Sequence, residues 1–342
     1  MRMSGNTLAH CLMAALLSPA ALAGEYEQRA DVIAFAQEMQ DRHAIEKSEV
    51  LATLAQAERK QTILDAISRP AETKLVWKQY RKIFMTPARI DGGVAFWKAH
   101  AQELEDISRQ YGVNPEIIVA IIGVETSYGK NTGSYRVLDA LSTLAFDYPP
   151  RAAFFRQQLA EFLVLAREQH QDPVSLTGSY AGAMGYGQFM PSSYRNFAVD
   201  YDKDGFADIW QNPSDAIASV ANYFHKHGWK KGEPVLVRAH VTAGFDASLA
   251  TNDLKPQMTL LDLAASGIAP VVDGLGVNRK AVVIRQEGDY GTEYWLGLDN
   301  FYTITRYNIS SMYAMAAFQL AEAIKSQHDL RQKEAVGSKA SN

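Results

Sequence analysis

The sequence predicts a predominantly helical α+β protein. Apolar residues recur at the spacing of amphipathic helices through most of the chain up to residue 227. Alternating β-branched and aromatic residues, separated by glycine-containing turns, are concentrated between about 231 and 300. The helical pattern returns from Ser310 to about Ile324. We therefore expect one small β-rich insertion within an otherwise helical protein.

Length and charge limit the classes of function that the chain can have. Of its 342 residues, 47% are hydrophobic and 21% are charged, which is enough apolar sequence for two or three compact units. The net charge of −4 provides no broad positive field, and this argues against non-specific nucleic-acid binding. The single cysteine, Cys11, excludes an intramolecular disulfide and a thiolate metal cluster.

Residues 1–23 have the pattern of a cleaved secretory signal. Arg2 precedes a short apolar run, and small residues end at Ala23, directly before Gly24. We predict an exported, soluble chain that starts near Gly24. Lipid attachment at Cys11 is the alternative, but little apolar sequence precedes that residue. No later segment reaches the roughly 20 uninterrupted apolar residues of a membrane-spanning helix.

The first helices are predicted in chain order from their apolar positions and their ends. Residues 25–69 carry several amphipathic helices, and a second helical block, which starts near Gly92, ends at Gly112. Asn114 and Pro115 then begin a helix as its N-cap and its first residue. The body of that helix is apolar on every side, so we expect it to be buried.

The later elements follow from the same patterns. Two further helices are predicted over 152–170 and 213–227, on either side of a glycine-rich loop. Three strands are predicted over 234–241, 281–285 and 292–298. The polar C-terminal residues 331–342 are predicted to fray.

Glu125 is the candidate catalytic residue. It lies near the C-terminus of the apolar helix, where the helix dipole and the low-polarity surroundings both disfavour an anion. Its pKa should therefore rise, and a carboxyl that stays protonated near neutral pH can act first as a general acid and then as a base. A solvent-facing glutamate, or one neutralised by an arginine, is the alternative. Glu116, near the N-terminus of the same helix, is favourable to the dipole and needs no catalytic role.

The glycine-rich loop 178–191 is a candidate sugar-binding segment. Its glycines let a ligand approach the backbone closely, while Tyr186 and Gln188 offer stacking and hydrogen bonds. A phosphate-binding loop would require a lysine that this segment lacks. A purely structural loop packed by small residues is the alternative.

Residues 200–208 match the ligand pattern of an EF-hand calcium loop. Carboxylates or a backbone carbonyl occupy the ligand positions, and glycine occupies position 6; the predicted ligands are Asp200, Asp202, Asp204, Phe206 and Asp208. Without a cation these carboxylates would repel one another, and their number favours structural Ca²⁺ over Mg²⁺. An acidic turn without metal is the alternative, and no organic cofactor is predicted.

The closing ligand of the calcium loop is left open by the sequence. Position 12, normally a glutamate, is Gln211. Asp215 either closes a lengthened loop or is simply a favourable acid in the first turn of the next helix.

Three ordered motifs resemble the membrane-bound lytic murein transglycosylase B family, glycoside hydrolase family 103. They are residues 121–129 around Glu125, 181–194 and 215–224, within a likeness that covers roughly 75–320. The resemblance implies a lysozyme-like core with a helical domain and a small β domain. It also implies cleavage of the β-1,4 bond between N-acetylmuramic acid and N-acetylglucosamine of peptidoglycan, with 1,6-anhydro ends, in which Glu125 performs both proton transfers.

The same resemblance implies the remaining binding residues. The substrate positions that it indicates are Tyr80, Arg151, Ser179, Gln188, Tyr223, Tyr307, Asn308 and Tyr313. Arg151 is the one retained member of an arginine pair that some relatives carry after Tyr-Pro. The calcium loop of the family matches as well, including Asp215. Core packing or capping is the alternative role for each substrate position.

Together these observations divide the chain and define the alternative functions. The predicted units are a signal peptide (1–23), a helical domain (24–110), a catalytic core with the EF-hand-like loop (111–230), a β-rich domain (231–300), a return to the core (301–330) and a flexible tail (331–342). A lysozyme-type hydrolase with Asp139 or Asp147 as second carboxylate, and a non-catalytic, calcium-stabilised wall-binding protein, are the alternatives. Periplasmic peptidoglycan is the predicted partner, and recruitment by cell-wall synthases or divisome proteins stays open.

Overall fold

The computed structural model describes residues 26–69, 75–251 and 253–340 and confirms the predominantly helical α+β fold. The predicted signal peptide and Cys11 lie outside the described residues. Among the helices within these ranges, none combines the length and the apolar character needed to cross a bilayer.

The described residues form fourteen α-helices. In chain order they are α1 (Ala30–His43), α2 (Lys47–Leu54), α3 (Gln61–Ser68), α4 (Trp77–Phe84), α5 (Pro87–Ala99), α6 (Ala101–Tyr111), α7 (Pro115–Thr126), α8 (Val137–Asp147), α9 (Ala152–Glu168), α10 (Pro191–Phe197), α11 (Pro213–Lys226), α12 (Leu260–Ala265), α13 (Asp299–Tyr307) and α14 (Ser311–Ala340). The predicted helices over 152–170 and 213–227 are therefore confirmed as α9 and α11.

The strands form two antiparallel sheets. A two-residue pair joins β1 (Tyr135–Arg136) to β2 (Thr177–Gly178). The larger sheet has the order β4-β6-β7-β3-β5 and contains β3 (Leu236–Val241), β4 (Met258–Thr259), β5 (Ile268–Pro270), β6 (Lys280–Gly288) and β7 (Gly291–Gly297). It lies within the predicted β-rich insertion, and its three longest strands are the three that the sequence predicts.

Two large apolar cores organise the helices. Helices α4 to α7, α11, α13 and α14 share one core, whereas α1 to α3 and α8 to α10 share the other. The predicted domain boundary at residue 110 does not separate these cores, because α4 to α6 turn their apolar sides toward α7 and α14. A third, smaller core lies within the sheet.

Helix α7 is buried at the centre of its core, as its apolar sequence predicts. Every residue from Ile117 to Gly123 is buried. Asn114 is the N-cap residue, as predicted, but its side chain makes no capping hydrogen bond: its amide donates to Glu116 (3.1 Å) and its carbonyl accepts from the Trp229 indole (3.3 Å). Pro115 does occupy the first helical position, where a missing N–H costs nothing.

Helix α14 continues to Ala340 and does not end near Ile324. The helix thus runs through residues 331–340, for which the sequence predicts a frayed tail. Residues after Ile324 are mostly strong helix formers without proline, and the ion pair from Lys325 to Asp329 (3.0 Å) spans one helical turn. These local preferences stabilise the helical conformation beyond Ile324, where the buried apolar section of α14 ends.

Candidate active site

Glu125 is the penultimate residue of α7 and faces tyrosines from distant parts of the chain. Its Oε1 accepts a hydrogen bond of 2.6 Å from the hydroxyl of Tyr313, in the first turn of α14. The Glu125 side chain is half-buried, so it is densely surrounded by protein yet keeps surface that a ligand can reach. The end of α7 and the start of α14 thus place one acid and one phenol in contact.

Burial raises the pKa of Glu125 from 4.5 to about 7, while the hydrogen bond from Tyr313 opposes that rise. No neighbouring carboxylate is among the causes. Near neutral pH the carboxyl is therefore divided between its protonated and ionised forms. Such a group can donate a proton and later accept one.

The buried tyrosines around Glu125 stay protonated. Burial, and then the negative charge of Glu125, raise the pKa values of Tyr307 and Tyr313 well above their usual range. Tyr80, which is 5% exposed, adds to the rise at Tyr313, so it lies in the same electrostatic environment. Three predicted substrate residues, Tyr80, Tyr307 and Tyr313, therefore gather near Glu125.

Tyr223 and Tyr307 fix each other and the backbone beside them. The Tyr307 hydroxyl donates to the carbonyl of Gly187 at 2.5 Å, and the Tyr223 hydroxyl donates to the carbonyl of Arg306 at 2.5 Å. Their rings meet at 4.7 Å in an edge-to-face arrangement. Helices α11 and α13 are thereby attached to the glycine-rich loop.

Within that loop, Gln188 and Ser179 are held by backbone groups. The amide of Gln188 donates to the carbonyls of Thr132 (3.1 Å) and Gly185 (2.9 Å), which leaves its own carbonyl oxygen as an acceptor for a ligand. The Ser179 hydroxyl oxygen accepts from the amide of Ala183 at 3.0 Å. Gln188 thus retains a polar group for binding, whereas Ser179 mainly closes a turn.

Tyr186 packs against the turn that follows Glu125. A Cβ atom added to Gly129 would lie 2.2 Å from its ring, so the ring and this backbone are in close contact. The Tyr186 carbonyl also accepts a hydrogen bond of 2.9 Å from the Thr126 hydroxyl. Tyr186 therefore joins the glycine-rich loop to the end of α7.

Arg151 and Asn308 have no described contact with this group. The guanidinium of Arg151 lies over the rings of Phe154 (4.3 Å) and Phe155 (5.4 Å), in the other core. Asn308 is exposed directly after α13. The described contacts therefore do not connect these two residues to Glu125, and both stay predicted substrate residues.

The two aspartates considered as second carboxylates are engaged elsewhere. Asp139 is 2% exposed and pairs with Arg136 at 2.8 Å. Asp147 pairs with Arg29 at 2.7 Å and accepts from Tyr26 at 2.9 Å. Both ion pairs belong to the core of α1 to α3 and α8, so neither aspartate is available for chemistry at Glu125.

Three of the predicted calcium ligands converge. Asp200, Asp202 and Asp204 place carboxylate oxygens within 4.8 Å of one another. Backbone amides order the loop, since Gly205 donates to Asp200 at 2.9 Å and Phe206 donates to Asp204 at 2.9 Å. This donor set, made only of oxygens, fits a hard divalent cation.

Asp208 and Asp215 lie outside that group of three and bind backbone amides. Asp215 is fully buried and accepts from the amides of Tyr201 (2.8 Å) and Asp208 (2.8 Å). Asp208 accepts from the amides of Trp210 and Gln211, both at 2.9 Å. Asp215 therefore connects the two ends of the loop. Asp208 and Asp215 stay predicted calcium ligands. The carbonyl of Phe206 accepts from the Asp208 amide at 2.9 Å.

Arg89 and Tyr128, which contact the end of α7, are not among the residues that the sequence analysis selects. The Arg89 guanidinium donates to the carbonyl of Gly123, and the Tyr128 hydroxyl donates to the carbonyl of Arg89 at 2.6 Å. Tyr128 belongs to the motif around Glu125, which was a usable signal. Arg89 lies 36 positions before Glu125 and had no local signal.

Comparison with known proteins matches residues 27–322 to the model of the family described as the transglycosylase SLT domain. The chain is also 43% identical over 312 residues to the membrane-bound lytic murein transglycosylase B of Escherichia coli K12. That alignment covers 89% of this chain and 85% of the relative.

The similar solved structures are lytic transglycosylases as well. Catenated lytic transglycosylase SltB1 from Pseudomonas aeruginosa is 54% identical, with a TM-score of 0.86 over 89% of this chain and 100% of that one. Escherichia coli lytic transglycosylase Slt35 in complex with calcium is 43% identical, with a TM-score of 0.81 over 90% and 96%. SltB3 from Pseudomonas aeruginosa in complex with NAG-anhNAM-pentapeptide is 34% identical, with a TM-score of 0.77 over 85% and 78%.

Proposed function

The chain belongs to the transglycosylase SLT domain family and is a peptidoglycan lytic transglycosylase, and we propose that Glu125 performs both of its proton transfers. The observation that carries the proposal is a half-buried carboxyl with a pKa of about 7, held at 2.6 Å by Tyr313 and without a partner carboxylate among the causes of that shift. The relatives favour neither a hydrolytic muramidase nor a non-catalytic wall-binding protein.

The first step breaks the glycosidic bond. Protonated Glu125 gives its proton to the oxygen between N-acetylmuramic acid and N-acetylglucosamine, and the bond from that oxygen to the anomeric carbon breaks. The N-acetyl group of the muramoyl residue stabilises the positive charge that develops at this carbon. N-acetylglucosamine leaves with a free hydroxyl, and Glu125 is left as an anion.

The second step closes the anhydro ring. Anionic Glu125 takes the proton of the muramoyl C6 hydroxyl, whose oxygen bonds to the anomeric carbon. The product is the 1,6-anhydro sugar, and Glu125 is protonated again for the next cycle. Tyr313 supports this alternation because its hydroxyl donates to the anion, and a pKa near neutrality makes both transfers possible at one pH.

The surrounding residues bind the glycan strand. Tyr80, Tyr307 and Tyr313 provide neutral phenols near Glu125, and Gln188 provides an acceptor from the glycine-rich loop. Tyr223 and Tyr186 hold Tyr307 and the loop in place, and Ser179 shapes the loop. Arg151 and Asn308 are exposed, and they fit contacts with more distant parts of the strand or its stem peptide.

A structural calcium ion is part of the proposal. Asp200, Asp202 and Asp204 would hold it, and the ion would neutralise three closely spaced carboxylates. The similar Slt35 has been solved with calcium. The ion stabilises the fold and takes no part in the two proton transfers.

Peptidoglycan also implies the compartment. A substrate in the cell wall requires export, which agrees with the signal-like pattern of residues 1–23. We therefore place the enzyme in the periplasm, and cell fractionation with an antibody to the native chain tests this. Recovery in the cytoplasmic fraction would contradict it.

Mass spectrometry of digested peptidoglycan tests the reaction and its residue together. The native chain should release products with 1,6-anhydro ends, each lighter by one water than a hydrolysed end. Glu125→Gln should abolish release but retain binding to sacculi. Glu116→Gln, at the opposite end of the same helix, is the matched control and should keep activity. Hydrolysed ends from the native chain, or unchanged release by Glu125→Gln, would refute the proposal.

A further inference from the structure

The turn directly after the catalytic helix has an unusual backbone. Ser127, Tyr128 and Gly129 have φ angles of 51°, 66° and 83°. Residues other than glycine rarely adopt this left-handed region, and a bulky tyrosine there is an outlier. Surrounding contacts must hold such a conformation in place. The chain reverses here within a few residues of Glu125.

Arg89, from α5, binds the C-terminal end of α7. Its guanidinium donates to the carbonyl of Gly123 and lies 3.5 Å from that of Val124. These are two of the last four carbonyls of α7, where the helix has no further turn of amides; the Gly123 carbonyl also accepts a hydrogen bond of 3.1 Å from the amide of Ser127, directly after the helix. A positive group here also compensates the negative end of the helix dipole.

Tyr128 completes the connection between the two helices. Its hydroxyl donates to the backbone carbonyl of Arg89 at 2.6 Å. The turn after α7 therefore binds Arg89, and Arg89 in turn binds the end of α7. Glycines make room for the ring. A Cβ atom would lie 2.6 Å from the Tyr128 hydroxyl if added to Gly123, and 2.8 Å from the ring if added to Gly92.

We propose that Arg89 and Tyr128 are positioning residues that lock the C-terminal turn of α7, so that the Glu125 carboxyl meets the Tyr313 hydroxyl. The inference rests on the proposed role of Glu125. Neither residue has a described contact with the Glu125 side chain, so both act through the backbone. Arg89 contacts the two carbonyls that precede Glu125, and Tyr128 holds Arg89 through its backbone carbonyl; together these contacts fix the direction in which the Glu125 side chain leaves the helix.

Two measurable consequences follow from loosening this lock. Catalysis depends steeply on placement, and a shift of about 1 Å can cost up to about 100-fold in rate. In addition, the bond from Tyr313 favours the anionic form of Glu125. A carboxyl that drifts from Tyr313 loses that support, so its pKa rises and the alkaline limb of activity moves to higher pH.

Tyr128→Phe removes only the hydroxyl that bonds to Arg89. On soluble peptidoglycan strands we expect kcat to fall by about 10-fold while KM stays within about twofold. The alkaline limb of kcat should move up by about half a pH unit or more, as in Tyr313→Phe. The double variant Tyr128→Phe/Tyr313→Phe should show no further pH shift, because each single change already weakens the same hydrogen bond, that from Tyr313 to Glu125. Arg89→Gln should act in the same direction, and Arg89→Lys should recover part of kcat.

Tyr194→Phe is the matched control. The Tyr194 hydroxyl donates to the carbonyl of Ala207 at 2.8 Å, so this variant loses a similar buried bond in the other core. It should lower Tm without moving the pH profile. If Tyr128→Phe and Arg89→Gln behave like Tyr194→Phe, with native kcat and pH profile, the positioning role is overturned. Glu125→Gln, inactive in the same assay, would show that the proposed function survives that result.

Discussion

Glu125 resists ionisation because burial acts on its carboxyl more strongly than the single hydrogen bond from Tyr313. The sequence predicts the direction of this pKa shift but attributes part of it to the helix dipole. In the structure, Arg89 binds the end of α7 and opposes that dipole. The rise is therefore a consequence of packing around the residue.

The raised pKa of Glu125 also makes stability depend on pH. The folded chain holds this proton up to about pH 7, whereas the unfolded chain loses it near 4.5, so the stabilisation is complete below 4.5 and lost as pH rises through 7. Glu125→Gln removes the titration. When the pH is raised from 4 to 8, we expect the free energy of unfolding of the variant to increase by up to about 3 kcal/mol relative to that of the native chain.

Urea unfolding of both chains at pH 4 and pH 8 measures that gain. Glu116→Gln serves as the control, since it alters a buried acid at the other end of α7. An equal stability difference between native chain and Glu125→Gln at the two pH values would contradict a raised pKa.

At the scale of elements, the Tyr128 ring packs so closely against α7 that a glycine is required at position 123. Gly123→Ala puts a methyl group 2.6 Å from the Tyr128 hydroxyl, and crowding of this kind costs about 1–3 kcal/mol. The gain in helix propensity, about 1 kcal/mol, offsets only part of it. We expect a net loss of stability, measured by thermal unfolding. Gly244→Ala, where a Cβ meets nothing within 4 Å, should be nearly neutral. An equally stable Gly123→Ala chain would refute this packing.

The loop 200–208 is the second element whose behaviour can be predicted. Calcium at 100 times its Kd should stabilise the native chain by about 2.7 kcal/mol, because it binds the folded loop preferentially. Tm should fall when a chelator is added. Asp202→Asn should remove most of this difference, whereas Asp246→Asn, an exposed acid in the β-rich region, should retain it. A metal-free native chain with the same Tm as the calcium-loaded chain would contradict the site.

Elements with strong local signals are the ones that the sequence predicts correctly. The apolar body of α7 and the alternating strands β3, β6 and β7 are examples. Helix α8 is not predicted, because nearly all of its residues are buried and no polar face marks a helical period. Asn114 is the N-cap of α7, as predicted, but its side chain makes no capping bond, because its carbonyl accepts from Trp229 and its amide donates to Glu116.

At the scale of the whole molecule, the site joins residues that are far apart in sequence. Glu125 and Tyr313 are 188 positions apart, and Tyr80 comes from a third helix. Local patterns predict that Glu125 is unusual but give no partner for it, because such contacts depend on how α4, α7 and α14 pack. The family resemblance provided those positions, and it also included Arg151, whose described contacts are in the other core.

Titration of Glu125 by ¹³C NMR of the labelled full-length chain tests the central claim most directly. The resonance of Glu125 is the one that disappears in Glu125→Gln. We predict that it titrates with a pKa of about 7 and that Tyr313→Phe moves this value upward. A Glu125 resonance that titrates below pH 5 in the folded chain would contradict a single carboxyl acting as acid and then base.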